Sequence, residues 1–322
     1  EPDIALLRAV LSRIDFVDVF THTNVVVLTE PEDAAAISAA LRGAEAVVAL
    51  GVKILEHAPS MPRLGESAQK FVQTLTTTIR ALRTQVVTTL MQTETTLRNG
   101  LMNLDYYASC PGIEDLKDSG TGKPAVVVSA GPSLARNMME LAKPGVRDRV
   151  VIIAVQTVLK QLLSAGIKPH FVTALDYHEI SARFYEGLDA NDVEGVCLVV
   201  ESKANPAILQ AFPGQIRCPH DTLLDSLLGK EFSHDQAQID PGATVAHMGY
   251  YLARHLGCDP VILVGQDLGF TDGQYYAPGA AIHDIWAGEL NEFNTLEMME
   301  WQRIVRMRGH LHDAVDVFGQ NI

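Results

Sequence analysis

From Lys123 onward, short runs of nearly unbroken apolar residues alternate with stretches of helical periodicity. The runs fall at residues 125–128, 150–155, 171–175, 196–200 and 261–264. A strand can be apolar along its whole length only if both of its faces are buried, and helices on either side of a parallel sheet provide that burial. Strand, helix and strand in strict succession therefore predict a doubly wound, Rossmann-like parallel sheet. Gly166 and Gly257 stand where two of the intervening helices should end.

Such a sheet binds ligands outside the carboxyl ends of its strands, which makes those ends the place to look for chemistry. The first run leads into Ser129-Ala130-Gly131-Pro132-Ser133, the third into Asp176, the fourth into Glu201 and the fifth into Gln266-Asp267. In the first turn, Gly131 lets the backbone approach a ligand closely or take positive φ, and Pro132 suits the first turn of a helix because its missing N–H is not needed there. Backbone N–H groups at such a helix start favour a phosphate. A plain strand-to-helix turn capped by Ser133 fits the same letters. The pattern is neither G-x-G-x-x-G nor a P-loop.

A second helix start, Pro241-Gly242-Ala243-Thr244, has similar ingredients, with Gly242 for close approach and Thr244 as a hydroxyl donor or cap. Asn205 follows Glu201 at a helical spacing that allows both to face one ligand. Asp176, Glu201 and Asp267 are candidates either for ribose or sugar hydroxyls or for Mg²⁺, which takes one or two carboxylates besides phosphate oxygens and water. Eleven histidines offer general bases. His247 lies early in a helix, His283 follows the Asp267 region, and His310 and His312 are two apart, a spacing that does not bring them together on a helix. Tyr275 and Tyr276, before Ala277-Pro278-Gly279, suit a lid whose hydroxyls stabilise a leaving phosphate, or a tyrosine pair packed on the sheet edge.

Before the sheet the sequence predicts two further parts. Residues 1–65 read as a small, partial α/β domain, with a helical stripe at Ile4, Leu7, Leu11 and Ile14, short strands at 24–28 and 46–50, and an Ala-rich helix between them. Residues 66–109 read as a helical connector, one long helix or two broken at Asn99-Gly100, serving as a bridge, an oligomer contact or a partner-binding helix. The core then occupies 110–322. The strand-like end Ala314-Val315-Asp316-Val317-Phe318 and the first residue, Glu1, suggest a piece of a longer protein.

Net charge is −14, which disfavours a nucleic-acid partner, since phosphate backbones demand clustered Lys and Arg. A single nucleotide needs only a few local N–H groups and remains compatible with an acidic chain. The apolar runs are strand-sized and far short of the roughly 20 residues of a membrane helix. Four dispersed cysteines predict buried thiols in a reducing, cytoplasmic setting.

Four segments, taken in order, resemble one family. They are Pro124-Ala-Val-Val-Val-Ser-Ala-Gly-Pro-Ser-Leu134, Gly166-Ile-Lys-Pro-His-Phe-Val-Thr-Ala-Leu-Asp176, Pro241-Gly-Ala-Thr-Val-Ala246 and Val264-Gly-Gln-Asp-Leu268. The family joins bacterial motility accessory factors, which look like flagellin glycosyltransferases, with archaeal 6-hydroxymethylpterin diphosphokinase-like proteins. The resemblance covers roughly residues 110–322. It implies one nucleotide fold and two chemistries. One is transfer of a nonulosonic, sialic-acid-like sugar from a CMP-linked donor to Ser or Thr of flagellin. The other is pyrophosphoryl transfer from ATP to a pterin alcohol with Mg²⁺. A non-catalytic nucleotide-binding or assembly protein is the third expectation. Carried over, Ser129, Gly131 and Ser133 hold nucleotide phosphate, Gly242 and Thr244 form the second ligand-facing turn, and Asp176 and Asp267 line the crevice. The flagellar members carry a His a few positions after Q-D-L. Here Tyr275-Tyr276-Ala277-Pro278-Gly279 stands there and the next histidine is His283, so the resemblance does not itself assign the general base.

Overall fold

The computed structural model describes residues 3–22, 25–30, 32–55, 57–229, 231, 239, 242, 244–306, 308–315 and 319. The chain divides into two units, Glu1–Glu94 and Thr95–Ile322.

The second unit is built on six parallel strands: β1 (Ala125–Val128), β2 (Val151–Val155), β3 (Phe171–Ala174), β4 (Cys197–Val200), β5 (Gln215–Arg217) and β6 (Val261–Val264). Their order across the sheet is β5-β4-β3-β2-β1-β6. The five expected runs are all strands. β5 escaped the sequence reading because it is only three residues long and carries Gln215 and Arg217 at its ends.

β1 and β2 are buried along their whole length. Val126, Val128, Ile152 and Ala154 point to one face, where Leu134 and Leu162 of the helices Leu134–Leu141 and Leu159–Ser164 cover them. Ala125, Val127, Ile153 and Val199 point to the other, against Met248 and Leu252 of the helix Val245–His255. A Cβ on Gly249 would stand 3.0 Å from Val127 Cγ1, so this helix rides close on the sheet. Period-2 alternation with both faces covered is why the runs of β1 to β4 read as unbroken apolar stretches, whereas Ile262 and Leu263 of the edge strand β6 are about half exposed.

Strand order fixes where a ligand can enter. The chain steps outward from β1 to β5 and then returns to the far side of β1 as β6. The reversal between β1 and β6 is the topological switch point, the crevice where open α/β sheets bind ligands.

The first unit differs from the expected small α/β domain. Its described residues form the helices Ile4–Leu11, Val17–His22, Ala34–Ala40, Glu45–Leu50 and Met61–Leu64, and no strand. Residues 46–50 lie inside the helix Glu45–Leu50, and 25–30 take no regular structure; Asn24 lies outside the described residues. A five-residue apolar run is equally compatible with a short helix, and here no neighbouring strand offers the ladder that would select β. Val47 and Leu50 are 67% and 90% exposed, so this run is no buried strand. The long helix runs unbroken over Glu66–Met102, 37 residues or roughly 55 Å, through Asn99-Gly100. It ends at Asn103, whose amide donates to Ser202 O and Ala204 O at 2.8 Å each. The strand-like run 314–318 lies outside the described residues from Asp316 onward.

Candidate functional site

At the switch point the two expected motifs close on each other. Ser129 N–H donates to Val264 O at 2.8 Å and Gly131 N–H to Gly265 O at 2.8 Å, continuing the β1–β6 ladder past the strand ends. Gly265 takes φ +69°, and a Cβ there would lie 2.2 Å from Ser129 O. Only glycine fits such a left-handed, crowded position. Above this, Ser129 Oγ donates to Gln266 Oε1 at 3.0 Å. Asp267 Oδ2 accepts from Ser133 N–H at 3.1 Å and from Ser133 Oγ at 2.7 Å.

Two readings of the first turn need correcting. Ser133 stands at the N-cap position of the helix Leu134–Leu141, but its side chain makes no capping bond and serves Asp267 instead. Gly131 is not left-handed, and a Cβ on it would sit 2.1 Å from Asp267 Oδ2 and 2.6 Å from Gly265 O. The close approach that Gly131 permits is thus to the protein's own β6 turn. Asp267 supplies the negative charge that a helix start prefers.

The second helix start reaches the same place. Val245 and Ala246 pack into the cluster that holds Ala130, Leu134, Val264 and Ala277. Thr244 caps the helix Val245–His255 through His247 N–H and lies 3.0 Å from His247 Nδ1. Gly242 has φ +64° and would press a Cβ to 2.4 Å from His247 Cβ. Pro241 and Ala243 lie outside the described residues.

The tyrosine loop is anchored. Ala277 N–H donates to Ala130 O at 2.7 Å, and Gln161 Nε2 donates to Pro278 O at 2.7 Å. Tyr275 stacks on Phe270, Tyr276 meets Tyr275 edge-on, and Tyr276 also approaches Trp286. Burial, then Tyr275 and Asp176, push the Tyr276 phenol up to about 12, so at neutral pH it keeps its proton and can donate. Glu300, only 5% exposed, accepts from Tyr275 N–H at 2.7 Å through Oε2 and pairs with His283 Nε2 at 2.9 Å through Oε1. The Arg303 guanidinium lies 3.7 Å over the Trp286 ring.

Asp176 belongs to a second polar group. Its Oδ2 accepts from Gln156 Nε2 and from Ser181 Oγ at 2.9 Å, and the buried Tyr185 hydroxyl donates to Gln156 Oε1 at 3.1 Å. The negative charge of Asp176 also helps to raise the Tyr276 phenol.

Not every expected residue converges. β3 and β6 lie three strands apart, about 14 Å at the usual strand spacing. Asp176 and Asp267 therefore do not fit as joint ligands of one Mg²⁺, whose oxygens lie about 2.1 Å from the ion. Glu201 sits at the end of β4, equally far from β1. Asn205 caps the helix Pro206–Ala211 through Ala207 N–H at 3.0 Å and donates to Tyr177 O at 3.2 Å, which commits it to structure. Of the other histidines, His247 serves the Thr244 cap, and the His310 side chain lies outside the described residues. A cavity of about 720 Å³ lined by Trp301, Val305 and Arg306 belongs to the last helix rather than to this rim.

Sequence reasoning missed Gln156 and Glu300. Gln156 directly follows the last residue of β2 and was open to the same strand-end reading as its neighbours. Glu300 follows buried Met299 and precedes buried Ile304 by one turn, so an acid stands on the apolar stripe of the helix Leu296–Arg306.

Residues 98–273 match the model of the family described as 6-hydroxymethylpterin diphosphokinase MptE-like. Among solved structures, the chain is similar in fold to the MAf glycosyltransferase from Magnetospirillum magneticum AMB-1, with a TM-score of 0.51 and 21% identity. The likeness covers 84% of this chain and 42% of that one, so this chain spans less than half of its length. No curated protein matches in sequence.

Proposed function

This chain belongs to the 6-hydroxymethylpterin diphosphokinase MptE-like family, and from that premise we propose that it is the nucleotide-binding core of a glycosyltransferase. The donor is a CMP-linked nonulosonic, sialic-acid-like sugar, and the acceptor is a Ser or Thr hydroxyl of flagellin or another protein. The observation that carries this reading is the closure of the β1 and β6 turns at the switch point, with Ser133 N–H and Oγ–H already aimed at an anion, the Asp267 carboxylate. A phosphate of the donor competes for those two donors. The solved structure that shares this fold is a glycosyltransferase by name, and sugar transfer is compatible with that fold.

In this mechanism the acceptor hydroxyl attacks the anomeric carbon while the bond to the CMP phosphate breaks. His283 takes the hydroxyl proton. Tyr276, protonated at neutral pH, and Ser133 donate to the departing phosphate. Asp176, held by Gln156 and Ser181, faces sugar hydroxyls. Release of CMP from CMP-linked N-acetylneuraminic acid, dependent on an added flagellin peptide, tests the reading. Release that is absent, or indifferent to the peptide, counts against it.

Pyrophosphoryl transfer from ATP to a pterin alcohol is the second reading, favoured by the description of the family. Its Mg²⁺ would need ligands other than the pair Asp176 and Asp267. An AMP product formed from ATP and 6-hydroxymethylpterin would replace the first reading.

A further inference from the structure

Glu300 is the only buried acid on the helix Leu296–Arg306 among its described residues, and both of its oxygens are used. One holds the backbone of the tyrosine loop at Tyr275. The other holds His283, whose side chain is 12% exposed and whose ring lies 5.5 Å from that of buried Trp286. An ionised carboxylate can only accept, so the nitrogen facing it must carry the proton, whether the ring is neutral or charged. That nitrogen is Nε2. Among the described residues, Nδ1 has no hydrogen-bond partner.

We propose that Glu300 is a positioning residue that fixes the His283 proton on Nε2 and keeps Nδ1 as the proton acceptor. The inference rests on the glycosyl-transfer reading. In that reaction the Ser or Thr oxygen forms its bond to the anomeric carbon and gives its proton to Nδ1. The electron pair of the breaking C–O bond leaves on the CMP phosphate, and the imidazolium then returns its proton to water. The single carboxylate-to-ring bond orients the base because the partner of one ring nitrogen decides the role of the other.

Glu300→Gln separates this role from a merely structural one. The amide oxygen can still accept from Tyr275 N–H, which turns the NH₂ toward Nε2. That nitrogen must then accept, and the ring proton moves to Nδ1. A wrong tautomer with intact geometry is the kind of change that costs a His-dependent enzyme most of its kcat. Two readouts apply to the full chain. Nitrogen-15 NMR of labelled histidines, assigned with His283→Gln, reads the tautomer without turnover. Peptide-dependent CMP release from CMP-linked N-acetylneuraminic acid reads kcat and KM.

The expected result is an Nε2–H tautomer in the wild type. Glu300→Gln should shift it to Nδ1–H and lose about 10²–10⁴-fold in kcat with the donor KM little changed. An Nδ1–H tautomer in the wild type overturns the proposal even if the variant fails to fold. Wild-type kcat in a folded Glu300→Gln overturns it as well. A wild type with the Nε2–H tautomer that transfers no sugar overturns the transfer reading and the base role together, while the carboxylate–imidazole clip stands.

Discussion

Replacing Gly131 by Ala adds one methyl group at the most crowded point of the switch-point turn. Its Cβ would meet Asp267 Oδ2 at 2.1 Å, Gly265 O at 2.6 Å and Asp267 Cγ at 2.8 Å. The Asp267 side chain can swing away, but it then gives up the Ser133 N–H and Oγ–H bonds, and a hydrogen bond to a charged group is worth about 1.5–3 kcal/mol. Gly265 O is backbone and holds Gly131 N–H at 2.8 Å, so relief there shifts the β6 turn, an overpacking cost of about 1–3 kcal/mol. Against this, Ala at an ordinary φ stabilises by about 0.4–1 kcal/mol through the unfolded chain. With both bonds lost, the net loss is about 3–9 kcal/mol. For a unit of this size that lowers Tm by about 6–36 °C. Differential scanning fluorimetry with far-UV circular dichroism reads it, with Gly288→Ala as control because a Cβ there meets nothing within 4 Å. Equal melting of the two variants refutes the packing of this turn.

Asp267→Asn keeps an oxygen for Ser133 but removes the charge beside the helix start, so stability falls by about 0.3–1 kcal/mol, and CMP should bind at least as tightly because its competitor for Ser133 is weaker. Weaker binding in isothermal titration would mean that Asp267 contacts the donor directly. His170 accepts from Ile152 N–H at 3.1 Å, and burial, then Arg147 and Lys123, hold its imidazole down at about 4. The unfolded chain takes up that proton near 6.5, so stability is complete above about pH 6.5 and declines as the pH falls toward 4. His170→Gln, which keeps an acceptor, should flatten the melting temperature across that window. An unchanged slope refutes the assignment.

The inner sheet was legible because burial on both faces leaves one kind of sequence, and residues 125–128 matched their strand to the residue; 261–264 also matched, although Ile262 and Leu263 of the edge strand β6 are about half exposed. The first unit was not, since 46–50 carries no signal that separates a lone strand from a short helix. In the site, strand-end logic found Ser129, Asp176 and Asp267 but could not give the strand order. That order alone places β6 beside β1 and leaves Asp176 about 14 Å away. Asn205 shows why side-chain type alone is ambiguous: the residue types that bind sugars also cap helices, as Asn205 does here. Glu300 was hidden because its partners, Tyr275 and His283, come from a loop and another helix, and only the folded chain brings the three together.

The central claim is that the crevice between β1 and β6 holds the nucleotide of a CMP-linked donor. A thermal-shift titration of the full chain with CMP, CDP, ADP and ATP, each with and without Mg²⁺, tests it most directly. A nucleotide at 100 times its Kd stabilises the fold by about 2.7 kcal/mol, well within reach of the method. The account predicts the largest rise with CMP, independent of Mg²⁺, and its loss in Ser133→Ala. A rise with ATP that requires Mg²⁺, or none with any nucleotide, would contradict it.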